Sequence, residues 1–523
     1  MRRSTVLSWL SRSITGSVHK ELVNHRTCMS KSSGFHLGRR SFLKAAAFGA
    51  AGITAPSLIS GCKSLFGQKY SIGIVGAGLA GLTTAYQLQK IGISTTIFES
   101  SRRAGGRVFT VSSTKNKGRY YEAGGEFIDS NHESTRKLCK ELGIELIDTM
   151  ADARSSNLIP QDYLIDGVKY SAADVLAAFA SSAPRVAGDL ESCGDNYDTE
   201  DAARLDKTSL ADYVNSLPMD NWLKSLLIAA YEAEYGLSGT IQSSLNFIDM
   251  IRTDLKQDFS LYGESDERYR VKGGSSQIVQ ALAGQVGKSI QYGKSVIGID
   301  SNGKRALITF ADGATASYDA LVLAIPFSVL REIKLSLPMM SQDKRRCINE
   351  LSYGNNCKVV LPFSVRTWRK SGSAGYLVNE TIQNGWDATQ GQSDNKGAGL
   401  YTIFLGADPA SEINAVAAAA QSMAKEAVSV LNVAYSGSGK DYSGGYDLAR
   451  WQSNPLSKGS YPAYSVGQWT SISGYEAEPV ANVFFAGDHT SDAFQGYMNG
   501  AVESGERASK EISEYVHSLS EGG

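Results

Sequence analysis

The sequence predicts an α/β protein of at least two domains, one of which is built on a parallel sheet and assembled from separate stretches of chain. Its 523 residues exceed one typical domain. Hydrophobic residues make up 42% and charged residues 20%, so the chain can bury sizeable cores and wholesale disorder is excluded. The 53 glycines against 11 prolines indicate tight turns and close backbone approaches more than flexible linkers.

The first element of the parallel sheet is a βαβ unit. Residues Ser71–Val75 form a continuous apolar run, which is typical of a strand buried on both faces. The run leads directly into Gly76, Gly78 and Gly81, after which the pattern predicts a helix and a second strand over 94–98. This spacing permits a tight turn, close approach of a pyrophosphate and helix-on-strand packing.

An acid completes the dinucleotide motif. Glu99 ends the second strand, 18 residues after Gly81, where a carboxylate can accept hydrogen bonds from both ribose hydroxyls. A glycine-rich turn in an unrelated α/β fold is the alternative, but strand, glycines, helix and acid all occur here in the required order. The sequence therefore predicts a Rossmann-like dinucleotide-binding domain.

Two further segments favour FAD over NAD. Gly487 and Asp488 follow a short strand over 483–485, so that the acid can bind the ribityl chain and a helix N-terminus can face the isoalloxazine. No second GxGxxG is present for NADPH, so electrons should come from an organic substrate and leave to oxygen or another external acceptor. The other segment is a glycine pair flanked by arginines, suited to wrap the pyrophosphate and the flavin end: Arg103, Gly105, Gly106 and Arg107.

The middle of the chain predicts the second domain. Ala- and Leu-rich stretches over 172–180 and 223–234 indicate a helical insertion spanning 150–270. Strand-like runs over 357–363 and 399–404, with a helix over 415–431, suit a mixed sheet that binds substrate. The insertion also contains an acidic stretch expected to be a solvated loop, with Asp189, Glu191, Asp195, Asp198, Glu200, Asp201 and Asp206.

The chain then returns to the nucleotide domain. Asn302-Gly303 and Asp312-Gly313 predict two hairpin turns in a meander over 294–326. A last strand, turn and helix follow over 483–515. The predicted boundaries are 70–150 with 270–355 and 450–515 for the FAD-binding domain, and 150–270 with 356–449 for the substrate-binding domain.

Charge is concentrated at the N-terminus. The whole chain carries 52 basic and 53 acidic residues, and it lacks a basic stripe interleaved with aromatics, so nucleic acid is not expected as a partner. Residues 1–61, however, hold nine Lys or Arg against one acid. Arg39-Arg40 precedes an uncharged run over 45–59 that is short for a membrane span and resembles a twin-arginine export signal. A short buried helix after two chance arginines is the alternative.

The apolar run ends in Leu58–Cys62, which resembles a lipobox with Cys62 as the lipid attachment point. A secreted protein with an incidental cysteine is the other interpretation. Residues 1–61 are thus predicted to be an export signal, placing the mature protein in the periplasm or cell envelope, with translation starting at Met1 or Met29. No metal site is expected, because the cysteines beyond the leader are scattered without CxxC spacing.

Five ordered motifs give the chain a family resemblance from about residue 70 to 515. It resembles the flavin-containing monoamine oxidases, which implies noncovalent or covalent FAD, oxidation of a C–N bond, and an imine that hydrolyses to a carbonyl. The motifs are Glu99–Arg107 (ESSRRAGGR), Glu122–Gly125 (EAGG), Val271–Gly274 (VKGG), Ala324–Pro326 (AIP) and Gly496–Ala508 (GYMNGAVESGERA). Gly124, Gly125 and Val296 join the expected FAD-binding residues.

The resemblance also implies the reactive residues. Lys358 matches the lysine that holds a water against the reactive flavin nitrogen, where a cation stabilises oxygen as it becomes anionic. Tyr461 and Tyr497 match the facing tyrosines of the aromatic cage, which clamp an uncharged amine. Ser460 stands where some relatives have a cysteine bonded to FAD, so the flavin should be held noncovalently. His489 is expected to be a packing residue.

The substrate is the least determined feature. Related L-amino acid oxidases place an arginine for the carboxylate where this chain has Phe127, although Arg154, Arg252 or Arg270 could serve instead. An amine is therefore favoured over an amino acid, with oxygen reduced to hydrogen peroxide. The alternatives are an L-amino acid oxidase or dehydrogenase, a flavin dehydrogenase or desaturase passing electrons to a quinone, and a surface flavoprotein without turnover. No oligomeric state is predicted.

Overall fold

A computed structural model describes residues 70–256, 260–392 and 397–521. The predicted export signal, including Arg39, Arg40 and Cys62, lies outside these residues. In the described part, no helix combines the length and apolar character needed to cross a membrane.

Within the described residues, twenty strands build the sheets. In chain order they are β1 Ile72–Val75, β2 Thr95–Glu99, β3 Thr110–Ser112, β4 Tyr120–Glu122, β5 Leu146–Asp148, β6 Ile159–Ile165, β7 Val168–Tyr170, β8 Tyr269–Val271, β9 Ile290–Tyr292, β10 Val296–Ser301, β11 Ala306–Phe310, β12 Thr315–Tyr318, β13 Ala320–Leu323, β14 Lys334–Ser336, β15 Cys357–Phe363, β16 Ser373–Asn379, β17 Gln383–Asp387, β18 Gly399–Leu405, β19 Asp447–Arg450 and β20 Val483–Phe485.

Seventeen α-helices of the described part of the chain cover these sheets. These are α1 Leu79–Lys90, α2 Glu133–Glu141, α3 Thr149–Ser155, α4 Ala172–Phe179, α5 Ala183–Ser192, α6 Glu200–Asp206, α7 Leu210–Asn215, α8 Asn221–Tyr235, α9 Ser244–Met250, α10 Ser276–Val286, α11 Phe327–Leu330, α12 Gln342–Glu350, α13 Thr367–Lys370, α14 Ala407–Ala415, α15 Ala419–Ala434, α16 Ser438–Asp441 and α17 Met498–Glu521. Short 3-10 turns follow at Gly287–Ser289 and Asp488–Thr490.

The parallel sheet has the order β20-β13-β1-β2-β9, and all four of its strand pairings are parallel. Its central strand β1 is buried along its whole length, as its continuous apolar sequence predicted. The strands come from the start, middle and end of the described chain, so the predicted α/β class with a discontinuous nucleotide-binding unit is confirmed. Helices α1 and α17 pack closely because Gly505 leaves room: a Cβ there would lie 2.7 Å from the Ala80 carbonyl oxygen.

The second large sheet has seven strands in the order β19-β15-β18-β17-β16-β6-β7. It is mixed, since β16 pairs in parallel with β6 and the other pairings are antiparallel. The helical insertion predicted over 150–270 is present, but the early part of this block also contains β6 and β7, a hairpin that extends the sheet. Helices α4 to α9 then follow and supply the helical insertion.

The four-stranded sheet β12-β11-β10-β14 contains the predicted meander. Both hairpin turns occur as predicted, with Gly303 at φ +83° and Gly313 at φ +81°, a left-handed conformation that glycine adopts without a Cβ clash.

Two local predictions were wrong in part. Five of the seven acids of the acidic stretch are exposed as predicted, but its ends lie in helices α5 and α6, and the Asp206 carboxylate is fully buried, accepting hydrogen bonds from the Ser243 and Thr470 hydroxyls. The helix predicted over 415–431 begins at Ala419, after α14 has ended at Ala415. Both differences arise because contacts with other parts of the fold determine which acids are buried and where a helix begins. The local sequence pattern carries no information on these contacts.

Candidate active site

A cavity of about 630 Å³ runs from the glycine-rich loop after β1 to the inner face of the seven-stranded sheet. Its nucleotide end is formed by the loops at the carboxyl ends of the parallel strands, which is where such sheets bind ligands. Its other end is lined by aromatic side chains: Phe127, Tyr376, Trp386, Phe404, Tyr461 and Tyr497. The cavity therefore joins a phosphate-binding loop to an aromatic chamber.

The three motif glycines have three different surroundings. A Cβ on Gly81 would lie 2.1 Å from the Gly76 carbonyl oxygen, and one on Gly76 would lie 2.6 Å from the Ala324 carbonyl oxygen. These two glycines therefore permit helix α1 and the neighbouring strand to pack. A Cβ on Gly78 would meet no atom within 4 Å, and Gly78 lines the cavity, so its bare backbone leaves the space that a pyrophosphate needs.

The Glu99 carboxylate holds the loop together. Its Oε2 accepts from the Ala77 N–H at 2.9 Å, and its Oε1 accepts from the Ser101 N–H at 2.8 Å. Glu99 lines the cavity, and each of its oxygens keeps a further lone pair for a ribose hydroxyl. The position predicted for the ribose acid is thus occupied by an oriented carboxylate.

The second glycine pair lies against the first. Gly105 donates its N–H to the Ala77 carbonyl, and a Cβ on Gly106 would come within 3.4 Å of the Gly78 Cα. The Arg103 guanidinium stacks on Phe109, with 3.9 Å from its central carbon to the ring centre, and donates to the Gly106 carbonyl at 2.7 Å. Both glycines and both arginines of this segment line the cavity.

Arg107 connects to the C-terminal motif. Its guanidinium forms an ion pair with the Asp488 carboxylate and donates to the Ser460 carbonyl. Asp488 is followed by a single 3-10 turn, and helix α17 begins only at Met498. A helix thus follows this acid as the sequence predicts, but the loop over 491–497 comes between them and carries Tyr497 into the cavity.

The remaining predicted cofactor residues also reach the cavity. Gly124, Gly125, Val296 and Gly487 all line it. A Cβ on Gly124 would lie 1.8 Å from the Arg107 carbonyl oxygen, so this glycine is needed where two backbone segments cross. With the open space over Gly78 and the exposed oxygens of Glu99, these residues fit a bound FAD.

The Lys358 ammonium lies buried between strand β15 and the EAGG motif. It donates to the carbonyls of Glu122 and Gly124, both at 3.0 Å, and to Glu126 Oε2 at 2.8 Å. The side chain is 7% exposed, so Lys358 is not a surface lysine. Sequence reasoning missed Glu126, although it directly follows the glycine pair and is therefore placed by the same turn.

The two predicted cage tyrosines meet at one residue. The Tyr461 hydroxyl donates to the backbone carbonyl of Glu234, and the Tyr497 hydroxyl donates to Glu234 Oε1 at 3.3 Å. Gly496 lies against the Tyr461 ring, since a Cβ there would be 3.6 Å from that ring. Both rings line the cavity, and helix α8, through its penultimate residue, fixes them together.

Ser460 and His489 are both accounted for by packing. The Ser460 hydroxyl donates to Asn356 Oδ1 at 2.6 Å and offers no thiol for a bond to FAD. The His489 imidazole is buried against the Phe327 ring, with 4.4 Å between ring centres, and burial lowers its pKa well below the usual value. A neutral packing histidine fits this position.

Three acids that sequence reasoning did not single out line the aromatic end: Asp129, Glu234 and Glu267. Burial raises the pKa of Asp129 to about 6 and that of Glu234 to about 7, and it raises the pKa of Glu267 well above the usual value. Asp129 lies four residues beyond the EAGG motif, so proximity was the available signal. Glu234 and Glu267 carry no sequence signal, because the fold alone brings them to the cavity.

None of the three arginines considered for a substrate carboxylate lines the cavity. Arg154 is exposed, and Arg252 donates to the Gly263 carbonyl at 2.9 Å. Arg270 is buried behind Phe127, with its guanidinium 4.6 Å from the ring centre, and donates to the Asp387 carbonyl at 2.8 Å. Phe127 thus stands between this cation and the cavity.

Together, the parallel sheet, glycine loop, ribose acid and buried lysine define a flavin-dependent oxidoreductase. Residues 79–513 match the family of flavin containing amine oxidoreductases, and the chain belongs to this family. It is therefore an FAD-dependent enzyme that oxidises the C–N bond of its substrate, and Ser460 agrees with noncovalent FAD.

Relatives are distant but match over most of their length. The chain is 25% identical to an L-amino acid dehydrogenase of Synechocystis sp., over 84% of this chain and 94% of the relative. It is 23% identical to a flavin-containing amine oxidase of Oncorhynchus mykiss, over 85% of both chains. Among solved structures, cyclohexylamine oxidase from Brevibacterium oxydans superimposes with a TM-score of 0.74 at 19% identity, covering 86% of this chain and all of that one.

Proposed function

We propose that this enzyme oxidises an amine, as distinct from an amino acid, and passes the electrons to oxygen with release of hydrogen peroxide. FAD, when bound, accepts a hydride equivalent from the carbon next to the nitrogen. The observation that carries the proposal is the arrangement of Tyr461 and Tyr497, which meet at Glu234 in the same cavity as the buried Lys358.

The chain's own residues position the amine and exclude water. The two tyrosine rings provide apolar faces for an uncharged amine, and their hydroxyls are held by Glu234, so the rings cannot swing freely. Phe127 and Trp386, whose ring centres are 5.3 Å apart, form a further wall of the chamber. Such walls keep the reacting nitrogen neutral by limiting its hydration.

Lys358 supplies the positive charge for the oxygen step. Its ammonium is buried, and a fixed cation in such a place stabilises negative charge that develops on oxygen. Glu126 neutralises part of that charge in the resting site and holds the ammonium in place, with 2.8 Å between Nζ and Oε2.

The carboxyl groups of the chamber favour an amine over an amino acid. A substrate carboxylate would approach Asp129, Glu234 and Glu267 without a facing arginine among the described lining residues. An anion buried in such a place without a cation beside it is costly. L-Amino acid oxidation, suggested by some relatives' names, therefore has less support here.

The test is a screen of the purified holoenzyme against primary amines and L-amino acids, with oxygen uptake and peroxide measured together. Stoichiometric peroxide from amines is expected. Because some relatives are named dehydrogenases, a quinone or dye acceptor is tested in parallel. Turnover with the dye but without peroxide would overturn the choice of oxygen, and turnover of L-amino acids alone would overturn the choice of an amine.

We also propose export by the twin-arginine route, with lipid attachment at Cys62. The support is the sequence pattern over residues 39–62. Replacing both Arg39 and Arg40 by Lys should retain folded holoenzyme in the cytoplasm. Cys62→Ser should leave export intact and release the enzyme from the membrane fraction, because stable anchoring needs the acyl chains. Membrane fractionation unchanged by Cys62→Ser would exclude the anchor.

A further inference from the structure

The aromatic chamber contains more carboxyl groups than the oxidation of a simple amine requires. Asp129, Glu234 and Glu267 line it, whereas the basic residues Arg103, Arg107 and Lys294 line the nucleotide end. Within the described lining, Lys358 is the one cation near the chamber, and Glu126 already pairs with it at 2.8 Å. Behind the lining, the Arg270 guanidinium acts to lower the pKa of Glu267, but burial outweighs this effect. No basic side chain of the described lining pairs with the three acids.

The protein contacts of these acids are neutral. Glu234 accepts from the Tyr497 hydroxyl, and Asp129 accepts from the Glu267 N–H at 2.9 Å, which links two of the acids directly. The nearby His132 imidazole is buried, and burial lowers its pKa to about 3, so it does not supply a counter-charge at neutral pH. Carboxyl groups buried in this way are costly unless a cation or a proton joins them.

A separate observation points to a hydrogen-bond donor in the same chamber. Asn384 is 2% exposed and lines the cavity, and its amide nitrogen donates to the Tyr262 hydroxyl at 2.9 Å. Its Oδ1 has no partner among the described residues. A buried acceptor without a donor is unusual in a folded protein and is costly, so it indicates a group that arrives with the ligand.

Aromatic faces complete the surroundings of an alkyl ammonium. Tyr376 and Trp386 line the chamber as a stacked pair, with ring centres 6.0 Å apart and an angle of 20° between the planes. Ring faces attract cations and also bury methylene groups. The chamber thus offers apolar walls for the alkyl chain of a ligand. Its carboxylates and one amide oxygen offer acceptors for a charged group at the end of that alkyl chain.

We propose that the substrate is a dicationic amine, such as an α,ω-diamine, whose distal ammonium is bound by Glu234 and Glu267 with Asn384 Oδ1 as an additional acceptor. The inference rests on the proposed oxidation of amines and specifies which amines are preferred. The nitrogen that reacts is neutral and lies between Tyr461 and Tyr497, while the second nitrogen remains protonated. Asp129 contributes negative charge through its contact with Glu267.

The experiment compares pairs of substrates that differ only in the second nitrogen. Anaerobic bleaching of the flavin absorbance is measured for 1,4-diaminobutane against butylamine, and for 1,5-diaminopentane against pentylamine, using the holoenzyme. A hydrogen bond to a charged group corresponds to about a 10- to 100-fold preference, so the diamine should have the higher kcat/KM by about that factor.

Variants then locate the preference. Glu267→Gln should bring the diamine-to-monoamine ratio close to one, mainly through KM for the diamine, with FAD content and the circular dichroism spectrum as evidence that the variant folds. Glu234→Gln should lower the same ratio, and only the ratio is compared in that variant, because Glu234 also accepts a hydrogen bond from the Tyr497 hydroxyl. Glu145→Gln is the matched control, because Glu145 is an exposed acid paired with Lys272 on the surface. It should keep the wild-type ratio.

The outcomes separate this inference from the proposed function. Equal kcat/KM for diamines and monoamines in the wild type would overturn the inference and leave amine oxidation standing. A preference that survives in both glutamine variants would show that these carboxylates do not bind the distal ammonium. No bleaching by either series would overturn the proposed function, and the inference with it.

Discussion

The nucleotide end of the cavity is shaped mainly by backbone, whereas the aromatic end is shaped by side chains. At the nucleotide end, Gly78 leaves bare backbone beside the ligand space, Gly76 and Gly81 let the chain pack closely around it, and Glu99 holds the loop by accepting two backbone N–H groups. At the aromatic end, Tyr461 and Tyr497 come from separate segments and are held by Glu234 of helix α8.

This difference indicates which end of the cavity determines the specificity for the substrate. A backbone site can recognise only what is common to many ligands, such as a pyrophosphate, and its motif is local in sequence. A side-chain site can vary one residue at a time while the scaffold is kept. In this enzyme, the cofactor end accordingly follows a general pattern, and Phe127 with the three acids of the chamber gives the other end its own character.

The largest effect should follow from filling the phosphate-binding space at the nucleotide end of the cavity with a side chain. Gly78→Val places a branched side chain in the open space over the glycine loop, where its Cβ meets no protein atom within 4 Å, so the fold should persist while FAD is excluded. We expect colourless, inactive protein that is still folded by circular dichroism. Gly188→Ala is the control, because that helical glycine also has open space around its Cβ position but lies outside the cavity.

If Gly78→Val retained a full complement of FAD, the assignment of this loop to the pyrophosphate would be wrong. Loss of secondary structure along with FAD would instead show that Gly78 is needed for folding, contrary to its surroundings.

The next effect concerns the charge beside the chamber. Lys358→Met should slow the oxygen-dependent return of flavin absorbance by about 10²-fold or more, with much less effect on bleaching by substrate, because the cation acts where oxygen becomes anionic. Stopped-flow absorbance measures both phases. An unchanged oxygen phase would refute this role.

Glu126→Gln sharpens the same test. It removes the partner of the Lys358 ammonium but leaves the lysine and its two backbone acceptors, Glu122 and Gly124. A smaller change in the oxygen phase than that of Lys358→Met is expected.

The aromatic cage should give an intermediate effect. Tyr497→Ala and Tyr461→Ala should each slow flavin bleaching by roughly tenfold, with FAD content retained, because an aromatic contact contributes about 1 kcal/mol. The double variant should lose less than the product of the two, since the rings act together. A mere packing role predicts instead a loss of about 3 kcal/mol or more of stability for each. Thermal midpoints and anaerobic kinetics on the same preparations separate these results.

The same comparison explains what the sequence could predict. The strand β1, the glycine loop and Glu99 are adjacent in the chain, so their relation is visible as a spacing. Lys358, Tyr461 and Tyr497 required a family resemblance, because nothing in their local pattern distinguishes them from other buried residues. Nothing in the sequence indicated Glu234 or Glu267 as site residues. Each lies at the end of a segment whose pattern is typical of a solvent-exposed position, and only the packing of α8 and the 260–268 loop around the chamber buries them.

The smallest predicted effect is a pH dependence of stability from the chamber's acids. Burial raises the pKa of Glu234 from its ordinary value of 4.5 to about 7, against the effect of the Tyr497 hydrogen bond, which lowers it. The folded state therefore binds more protons than the unfolded state between these two values, so this carboxyl reduces the free energy of unfolding as pH rises from about 4.5 to about 7. Glu234→Gln removes that term, because the amide is neutral at every pH. The thermal midpoint of the variant relative to wild type should therefore be several degrees higher at pH 8 than at pH 5.

Asp174→Asn is the control: the hydrogen bonds from Ser171 lower the pKa of that exposed carboxyl below 3.8, so its difference from wild type should not change between pH 5 and pH 8. A Glu234→Gln difference that is equally flat would mean that this carboxylate stays charged in the free enzyme, with a cation other than the substrate beside it.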